Sequence, residues 1–383
     1  MGILASLSRD KQDPGPTGSI DGAGDEGVSS PCESGVSVLE TWRVQSQRVL
    51  RPDWGLGAVA EASMTWSAAL GILVVGRRIR GLTAFDLDLG VPDGRDILRG
   101  HFRYHTDKYE YNPQMHVQFL VGDPSNLLAV AWSGLGRSQL QLVDVVRERV
   151  VATLCTGPHV NDEMALAVTK DLIALEVAFT DAPYGMVLGE PTVILFRRHG
   201  SCWAEEARIP RRIHTCGSYR GVSLTFAVRS ARPCVEDLLE LQSYYDGGVW
   251  LTSFVASAEG TLPVTRRVTK DLDHCQWTWV RSSSPGVLLA KSGCSTKLVA
   301  LRPRELDAEG RVPATVVHTF CNGRRNDIVA ATYVAGHGLL VLCDEHHAVE
   351  RHGVTLYTLV GPAMSAARDA WMRACVRRRA RAR

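Results

Sequence analysis

Short apolar stretches alternate with polar turns along most of the chain, and one order of elements recurs about six times between Gly55 and Val360. Each copy has an apolar stretch, a tight turn, a second apolar stretch and a polar hairpin. Short apolar or β-branched stretches bounded by turn residues are typical of β-strands. Regular recurrence of such a unit is typical of radial or stacked repeat folds. The pattern therefore predicts an all-β repeat protein.

Each of the first five repeat units is predicted to contain four strands. In the first unit these are residues 63–66, 72–75, 82–85 and 96–98. The other units follow the same register, at residues 116–154, 164–203, 222–268, 277–317 and 328–357. Six four-stranded units are expected. A seventh unit remains an alternative, because the fourth unit contains a long spacer.

The last unit lacks a fourth strand, whereas residues 42–50 form a strand that belongs to no unit. A closed ring accounts for both observations, because the N-terminal strand then completes the last blade and removes an open sheet edge. An open sandwich offers no such match. We therefore predict a single β-propeller of six, or alternatively seven, four-stranded blades over residues 36–360.

The first two units resemble WD repeats. Phe85-Asp86 and Val143-Asp144 fall where that family has its Trp-Asp dipeptide, and an outer strand follows each pair. Phe85 and Val143 replace the tryptophan, and the Gly-His pair that precedes the first strand of a WD repeat is absent. The resemblance covers about a quarter of the chain. It implies a degenerate WD-like propeller, without indicating a subfamily.

Both ends of the chain differ from the repeats. Residues 1–35 are rich in Gly, Ser, Asp and Pro, and they bury too little apolar surface to offset their ordering entropy, so disorder is expected. Residues 361–383 are predicted to form a short basic helix, with Met364, Ala367 and Trp371 on one stripe. This helix ends in an arginine-rich run that contains Arg377, Arg378, Arg379, Arg381 and Arg383.

Composition matches an ordinary globular protein, with 45% hydrophobic and 22% charged residues. The net charge of +2 gives no overall argument for nucleic-acid or membrane binding. The ten cysteines form no C-x-x-C pair, which favours a reducing compartment. No stretch approaches the roughly 18 apolar residues of a membrane span, and the N-terminus has no signal-peptide pattern. We expect a monomeric cytoplasmic protein without a cofactor.

Candidate binding residues lie in the loops on one face of the predicted ring. The second-to-third-strand loops and the connections between units share that face, which is where propellers carry function. Exposed tyrosine and arginine are enriched at binding hot spots, although loop polarity and blade capping explain the same residues. The candidate binding residues are Tyr109, Tyr111, Tyr244, Tyr245, Asp246, Arg77 and Arg78.

The sequence gives weaker evidence for catalytic or metal-binding residues than for binding residues. The sequence contains no G-x-S-x-G, P-loop or H-E-x-x-H motif. The run from Cys343 to His347 offers ligand types, but no second ligand pair follows at a spacing suited to structural zinc. We therefore predict a solvated loop there and no metal.

The favoured hypothesis is a non-catalytic scaffold that binds a protein or peptide on the loop face. One alternative is a propeller enzyme, such as a metal-dependent hydrolase. Another is a peripheral membrane adaptor, because Met1-Gly2-Ile3-Leu4-Ala5-Ser6 fits the N-myristoylation pattern at Gly2 and the arginine run could bind anionic lipid. The same run suits RNA binding or nuclear import, or is a solvated tail.

Overall fold

The protein is described from a computed structural model. Nearly all of the described residues lie in β-strands, with one short 3-10 helix at Val235–Asp237. The structure describes residues 43–50, 63–77, 81–86, 94–102, 115–120, 123, 126–134, 137–157, 160–179, 192–210, 219–227, 234–244, 248–257, 260–268, 277–280, 288–292, 297–320, 326–334, 338–346 and 352–360. The predicted disordered segment 1–35 and the predicted helix 361–383 lie outside these ranges.

The strands form six four-stranded antiparallel sheets among the described residues. Sheet 1 contains β2 (Ser63–Ser67), β3 (Ile72–Arg77), β4 (Gly81–Asp86) and β5 (Arg95–Ile97). Sheet 2 contains β6 (Met115–Phe119), β7 (Leu127–Gly134), β8 (Arg137–Asp144) and β9 (Arg149–Gly157). Sheet 3 contains β10 (Val160–Val168), β11 (Leu172–Phe179), β12 (Thr192–His199) and β13 (Cys202–Pro210).

The remaining sheets follow the same order. Sheet 4 contains β14 (Tyr219–Phe226), β15 (Leu238–Tyr244), β16 (Val249–Ser257) and β17 (Gly260–Arg267). Sheet 5 contains β18 (Trp277–Val280), β19 (Leu288–Ser292), β20 (Lys297–Leu301) and β21 (Ala314–Thr319). Sheet 6 contains β22 (Asn326–Val334), β23 (Gly338–His346), β24 (His352–Val360) and the N-terminal β1 (Arg43–Leu50).

The sheets form a closed ring. The first strand of each sheet contacts the first strand of the next, and β2 contacts both β6 and β22. A separate cluster of buried hydrophobic residues fills the space between each pair of neighbouring sheets, including sheets 6 and 1. The predicted β-propeller is confirmed, with six blades.

Both faces of a blade are buried, which explains why its inner strands are apolar without strict alternation. In β3, Leu73 and Val75 pack towards sheet 6, whereas Val74 packs towards sheet 2. All three side chains are fully buried. A continuous apolar stretch in this chain therefore indicates a strand between two neighbouring sheets.

Polar side chains on the inner strands hydrogen-bond to the backbone of the neighbouring blade. Gln118 in β6 donates from Nε2 to the carbonyl of Leu166 (2.9 Å), and its Oε1 accepts from the N–H of Val168 (3.1 Å). Ser63 in β2 makes a comparable contact, since its Oγ accepts from the N–H of Val117 (3.1 Å). These bonds fix the register between blades as well as within them.

The N-terminal strand closes the ring as predicted. β1 pairs with β24 in antiparallel register, from Arg43 opposite Val360 to Leu50 opposite Val354. A β-bulge at Gln45 interrupts this pairing between Val44 and Ser46. The strand predicted at residues 42–50 therefore completes sheet 6 as its outermost strand.

The up-and-down order of the strands gives the ring two distinct faces. The upper face carries the connections from second to third strands, such as β3 to β4, and those between sheets, such as β5 to β6. The lower face carries the connections from first to second and from third to fourth strands, such as β8 to β9. The described part of the chain contains no helix that is long and apolar enough to cross a membrane.

Candidate functional site

The predicted binding residues belong to strand ends and connections of the upper face. Tyr244 is the last residue of β15, where its backbone pairs with Tyr219 of β14. Arg77 is the last residue of β3. The other predicted binding residues, Tyr109, Tyr111, Tyr245, Asp246 and Arg78, lie outside the described residues, as does the predicted lipidation site Gly2. The five undescribed binding residues belong to the connections β3–β4, β5–β6 and β15–β16, and the strands on either side of these connections end or begin at the upper face.

The expected exposure of Arg77 is wrong, because only 2% of this residue is accessible to solvent. Its Nη2 donates to Thr83 Oγ1 (2.6 Å) and to Asp96 Oδ1 (3.2 Å). The Thr83 hydroxyl in turn donates to Asp96 Oδ1 (3.1 Å). Arg77, Thr83 and Asp96 lie on β3, β4 and β5, so this ion pair ties three strands of sheet 1 together.

Sheet 4 carries a polar cluster at the corresponding place. There the Nε2 of Gln242 donates to Glu240 Oε1, and the hydroxyls of Thr252 and Thr265 lie 2.8 Å apart. Glu240 and Thr252 are fully buried. Two sheets of the ring thus fix their outer strands with internal polar contacts. This arrangement assigns Arg77 a structural role within its sheet.

An aromatic and amide cluster lies on the upper face between sheets 1 and 2. We call His101, Trp132, Gln139 and Gln141 the upper cluster. The buried Gln141 side chain organises it, because its Oε1 accepts from His101 Nε2 (3.1 Å) and from Trp132 Nε1 (3.3 Å). Its Nε2 donates to Gln139 Oε1 (2.8 Å). Both ends of the amide are therefore used inside the protein.

Ring contacts hold the same cluster from below. The buried Phe102 side chain packs edge-on against His101, with centroids 4.7 Å apart, and against Trp132, with centroids 5.6 Å apart. Local backbone geometry supports this placement, since His101 N–H donates to the Leu98 carbonyl (2.9 Å) in the turn that follows β5. The turn places His101 at the start of the connection that carries Tyr109 and Tyr111.

The upper cluster presents polar groups at an exposed edge. His101 is exposed, and Trp132 and Gln139 are half-buried. His101 Nε2 and Gln139 Oε1 are bonded to Gln141, so His101 Nδ1 and the Gln139 amide N–H₂ are not used by these bonds within the cluster. An acceptor and a donor beside an indole ring suit a peptide group, which has one N–H and one C=O.

Sequence reasoning missed this cluster. Gln139 and Gln141 lie inside β8, whose apolar pattern predicts a strand but does not distinguish its two faces near the upper end. Trp132 reads as an ordinary core residue at the end of β7. The available signal was the pair of glutamines two residues apart, since residues two apart on a strand share one face.

Among the described residues, no three His, Cys, Asp or Glu side chains come together as a possible metal site. The solvated loop predicted from Cys343 onwards is wrong for residues 343–346, because these residues end β23, and Cys343 is fully buried in the hydrophobic cluster between sheets 5 and 6. Asp144, at the position of the WD aspartate, is buried and accepts from the N–H groups of Val146 (3.1 Å) and Arg147 (3.0 Å). Its role is to cap the turn between β8 and β9.

No protein-family model matches this sequence, and no curated protein matches it either. Solved structures resemble its fold. The GH93 α-L-arabinofuranosidase of Fusarium graminearum, complexed with arabinobiose, has 10% identity and a TM-score of 0.48 over 79% of this chain and 92% of that chain. KlAtg21, solved with the coiled coil of AgAtg16, has 14% identity and a TM-score of 0.40 over 77% and 83% of the two chains. Kluyveromyces lactis Hsv2 has 12% identity and a TM-score of 0.36 over 78% and 72%.

Proposed function

We propose that this propeller is a non-catalytic interaction scaffold that binds a protein or peptide segment on its upper face. The observation that carries the proposal is the upper cluster, in which a buried glutamine fixes an exposed histidine and a half-buried tryptophan. Side chains held in one geometry lose little entropy on binding, so their contacts contribute more to affinity.

The surroundings of the cluster favour a peptide over a small molecule. Tyr109 and Tyr111 follow His101 along the same connection, and Tyr244 ends a strand that opens onto the same face. Tyrosine and tryptophan are the residue types that most often dominate protein interfaces. Their distribution over sheets 1, 2 and 4 suits an extended ligand that crosses the upper face.

The proposal is tested by affinity purification with mass spectrometry on the full chain. One variant combines His101→Ala with Gln139→Ala, and a second changes the four tyrosines at 109, 111, 244 and 245 to alanine. A control variant combines Arg197→Ala and Glu206→Ala, which removes an exposed ion pair on the outer part of sheet 3. We expect both test variants to lose partners that the wild type and the control retain. Recovery of the same partners by every variant would contradict the proposal.

A further inference from the structure

The buried Gln141 side chain of the upper cluster uses its whole hydrogen-bonding capacity inside the protein. Its Oε1 accepts from Trp132 Nε1 (3.3 Å) and from His101 Nε2 (3.1 Å), and its Nε2 donates to Gln139 Oε1 (2.8 Å) and to Thr153 Oγ1 (3.4 Å). A side-chain amide has two acceptor lone pairs and two N–H groups, so these four bonds leave no position unused. The side chain is therefore fixed in one place and one orientation.

Trp132 determines which way round the Gln141 amide lies. An indole N–H can only donate, so the Gln141 atom that faces it must be the carbonyl oxygen. The opposite orientation would place two donors against each other and leave neither of them bonded. Because Gln141 Oε1 can only accept, the His101 nitrogen that it contacts must carry a proton, and that nitrogen is Nε2.

The position of the proton on His101 fixes the character of its second ring nitrogen. In a neutral imidazole one nitrogen donates and the other accepts, so Nδ1 is an acceptor when Nε2 carries the proton. His101 is exposed, and no group among the described residues bonds to its Nδ1. Edge-on contacts hold the ring, with centroids 4.7 Å from Phe102 and 6.5 Å from Trp132. The upper face thus carries one hydrogen-bond acceptor whose place and character are both set by the protein.

We propose that neutral His101 selects ligands by the N–H group that they donate to its Nδ1. The inference rests on the function proposed above and names the chemical feature that is recognised there: a backbone N–H of a peptide, with the Gln139 amide N–H₂ as a donor to a carbonyl. An ionised carboxylate or phosphate has no proton to offer, so at His101 one acceptor would face another. Gln141 touches no ligand in this arrangement and acts as a positioning residue, because it keeps the proton on Nε2.

The position of the proton is tested on the full chain with histidine labelled with nitrogen-15. Proton–nitrogen correlation spectra at about pH 8, where histidine side chains are mostly neutral, show which ring nitrogen carries the proton, and the His101→Ala spectrum identifies the His101 signal. We expect the proton on Nε2 in the wild type and a mixture of both tautomers in Gln141→Met. Gln118→Met is the matched control and should leave the His101 signal unchanged, because Gln118 lies in the same sheet but bonds to the backbone of sheet 3. Unfolding temperatures of the variants check that the fold is intact.

Recognition of an N–H group is tested with peptides selected from a random phage-displayed library on the immobilised wild type. Each backbone N–H of the tightest peptide is replaced in turn by an ester oxygen, which removes one donor with little change in shape. One replacement should weaken binding to the wild type about tenfold, because His101 Nδ1 then faces an acceptor. The same replacement should change binding to His101→Ala by less than about twofold, since that variant lacks the acceptor.

The outcomes separate this inference from the proposed function. A proton on Nδ1 in the wild type, or a proton position in Gln141→Met that matches the wild type, would overturn the inference without the use of any ligand. Suppose instead that the peptides lose binding in the variant that combines His101→Ala with Gln139→Ala, but that no ester replacement has an effect that depends on His101. That result would uphold binding at the upper face and overturn the inference alone. Peptides that bind this double variant as well as the wild type, or the selection of no peptide at all, would contradict the proposed function and the selection by His101 with it.

Discussion

Ser223 and Trp279 join sheets 4 and 5 through two hydrogen bonds. The Trp279 N–H donates to Ser223 Oγ (3.1 Å), and the indole Nε1 donates to the Ser223 carbonyl (3.1 Å). Both residues are buried, so water cannot replace either bond. The contact belongs to the same class as those of Gln118 and Ser63, which join other neighbouring blades at their inner strands.

Loss of the Ser223 hydroxyl should therefore destabilise the ring. Ser223→Ala leaves the buried N–H of Trp279 without its acceptor, which costs about 1–3 kcal/mol of unfolding free energy. Urea unfolding followed by tryptophan fluorescence measures this loss. The exposed Ser201 provides the control, because Ser201→Ala should change stability by less than about 0.5 kcal/mol. Equal stability of the two variants would show that the bond between the blades is not important.

Gly338 and Gly260 form a matched pair for a test of backbone packing. Their φ angles are +116° and +119°, so alanine is strained at both positions. A Cβ at Gly338 would overlap the carbonyl oxygen of Leu359, whereas a Cβ at Gly260 meets nothing within 4 Å. We expect Gly338→Ala to lower the unfolding free energy by at least about 1 kcal/mol more than Gly260→Ala. Similar losses in thermal or urea unfolding would contradict the close approach of Gly338 in β23 to the Leu359 carbonyl in β24.

Closure of the ring by β1 can be tested with proline. On an edge strand, alternate N–H groups point to the neighbouring strand, so either Gln47→Pro or Arg48→Pro must remove a hydrogen bond to β24. That variant should lose about 1–3 kcal/mol of stability. Gln45→Pro is the control, because Gln45 is the unpaired residue of the bulge and bulges tolerate proline. If none of the three variants is destabilised, β1 does not contribute to stability.

Asp144 should contribute a pH-dependent part of the stability. The N–H of Arg147, and then its guanidinium, lower the pKa of Asp144, although burial opposes them. Because the pKa is lower in the folded state, ionised Asp144 stabilises the fold above its unfolded pKa of about 3.9, and this contribution is lost as the pH falls through the folded value.

The comparison of wild type with Asp144→Asn measures that contribution. Asparagine keeps an oxygen that accepts from Val146 and Arg147 but removes the charge. The expected loss near pH 7 is under about 1 kcal/mol, because the Arg147 side chain is 70% exposed. It should shrink towards zero as the pH falls below the unfolded pKa and through the lowered pKa of folded Asp144. A difference that stays constant with pH would show that the charge is unimportant, whereas Asp144→Ala should destabilise the protein throughout because the turn loses its cap.

The strand pattern was predictable because the inner strands of every blade are buried on both faces and are therefore apolar. β23 reads as a buried apolar strand, and the missing partner of the last unit identified residues 42–50 as the closing strand. The outer strands of the blades were harder to predict. β17 (Gly260–Arg267) is largely exposed and contains Pro263, so its sequence gives little apolar signal for a strand.

The candidate site was less predictable. Arg77 begins a basic run that is typical of a solvated loop, but its side chain turns inward to Asp96, which follows 19 residues later in the chain. The upper cluster combines Gln141 with His101, which is 40 residues earlier. Contacts between strands at such separations depend on the register of the ring, which one sequence does not reveal. Local periodicity predicts which face of a strand is buried, but not which polar groups meet there.

Closure of the ring by β1 pairs the first and the last strand of the propeller to be synthesised. β1 leaves the ribosome before any other strand of the propeller, whereas β24, its partner in sheet 6, is synthesised last. During elongation β1 therefore has unpaired backbone groups and no neighbour, a state that favours aggregation. Sheet 6 cannot be completed until β24 has been synthesised, so a nascent chain that stops before β24 cannot form the closed ring. The first strand of the propeller therefore waits for the last one before it has a partner in its sheet.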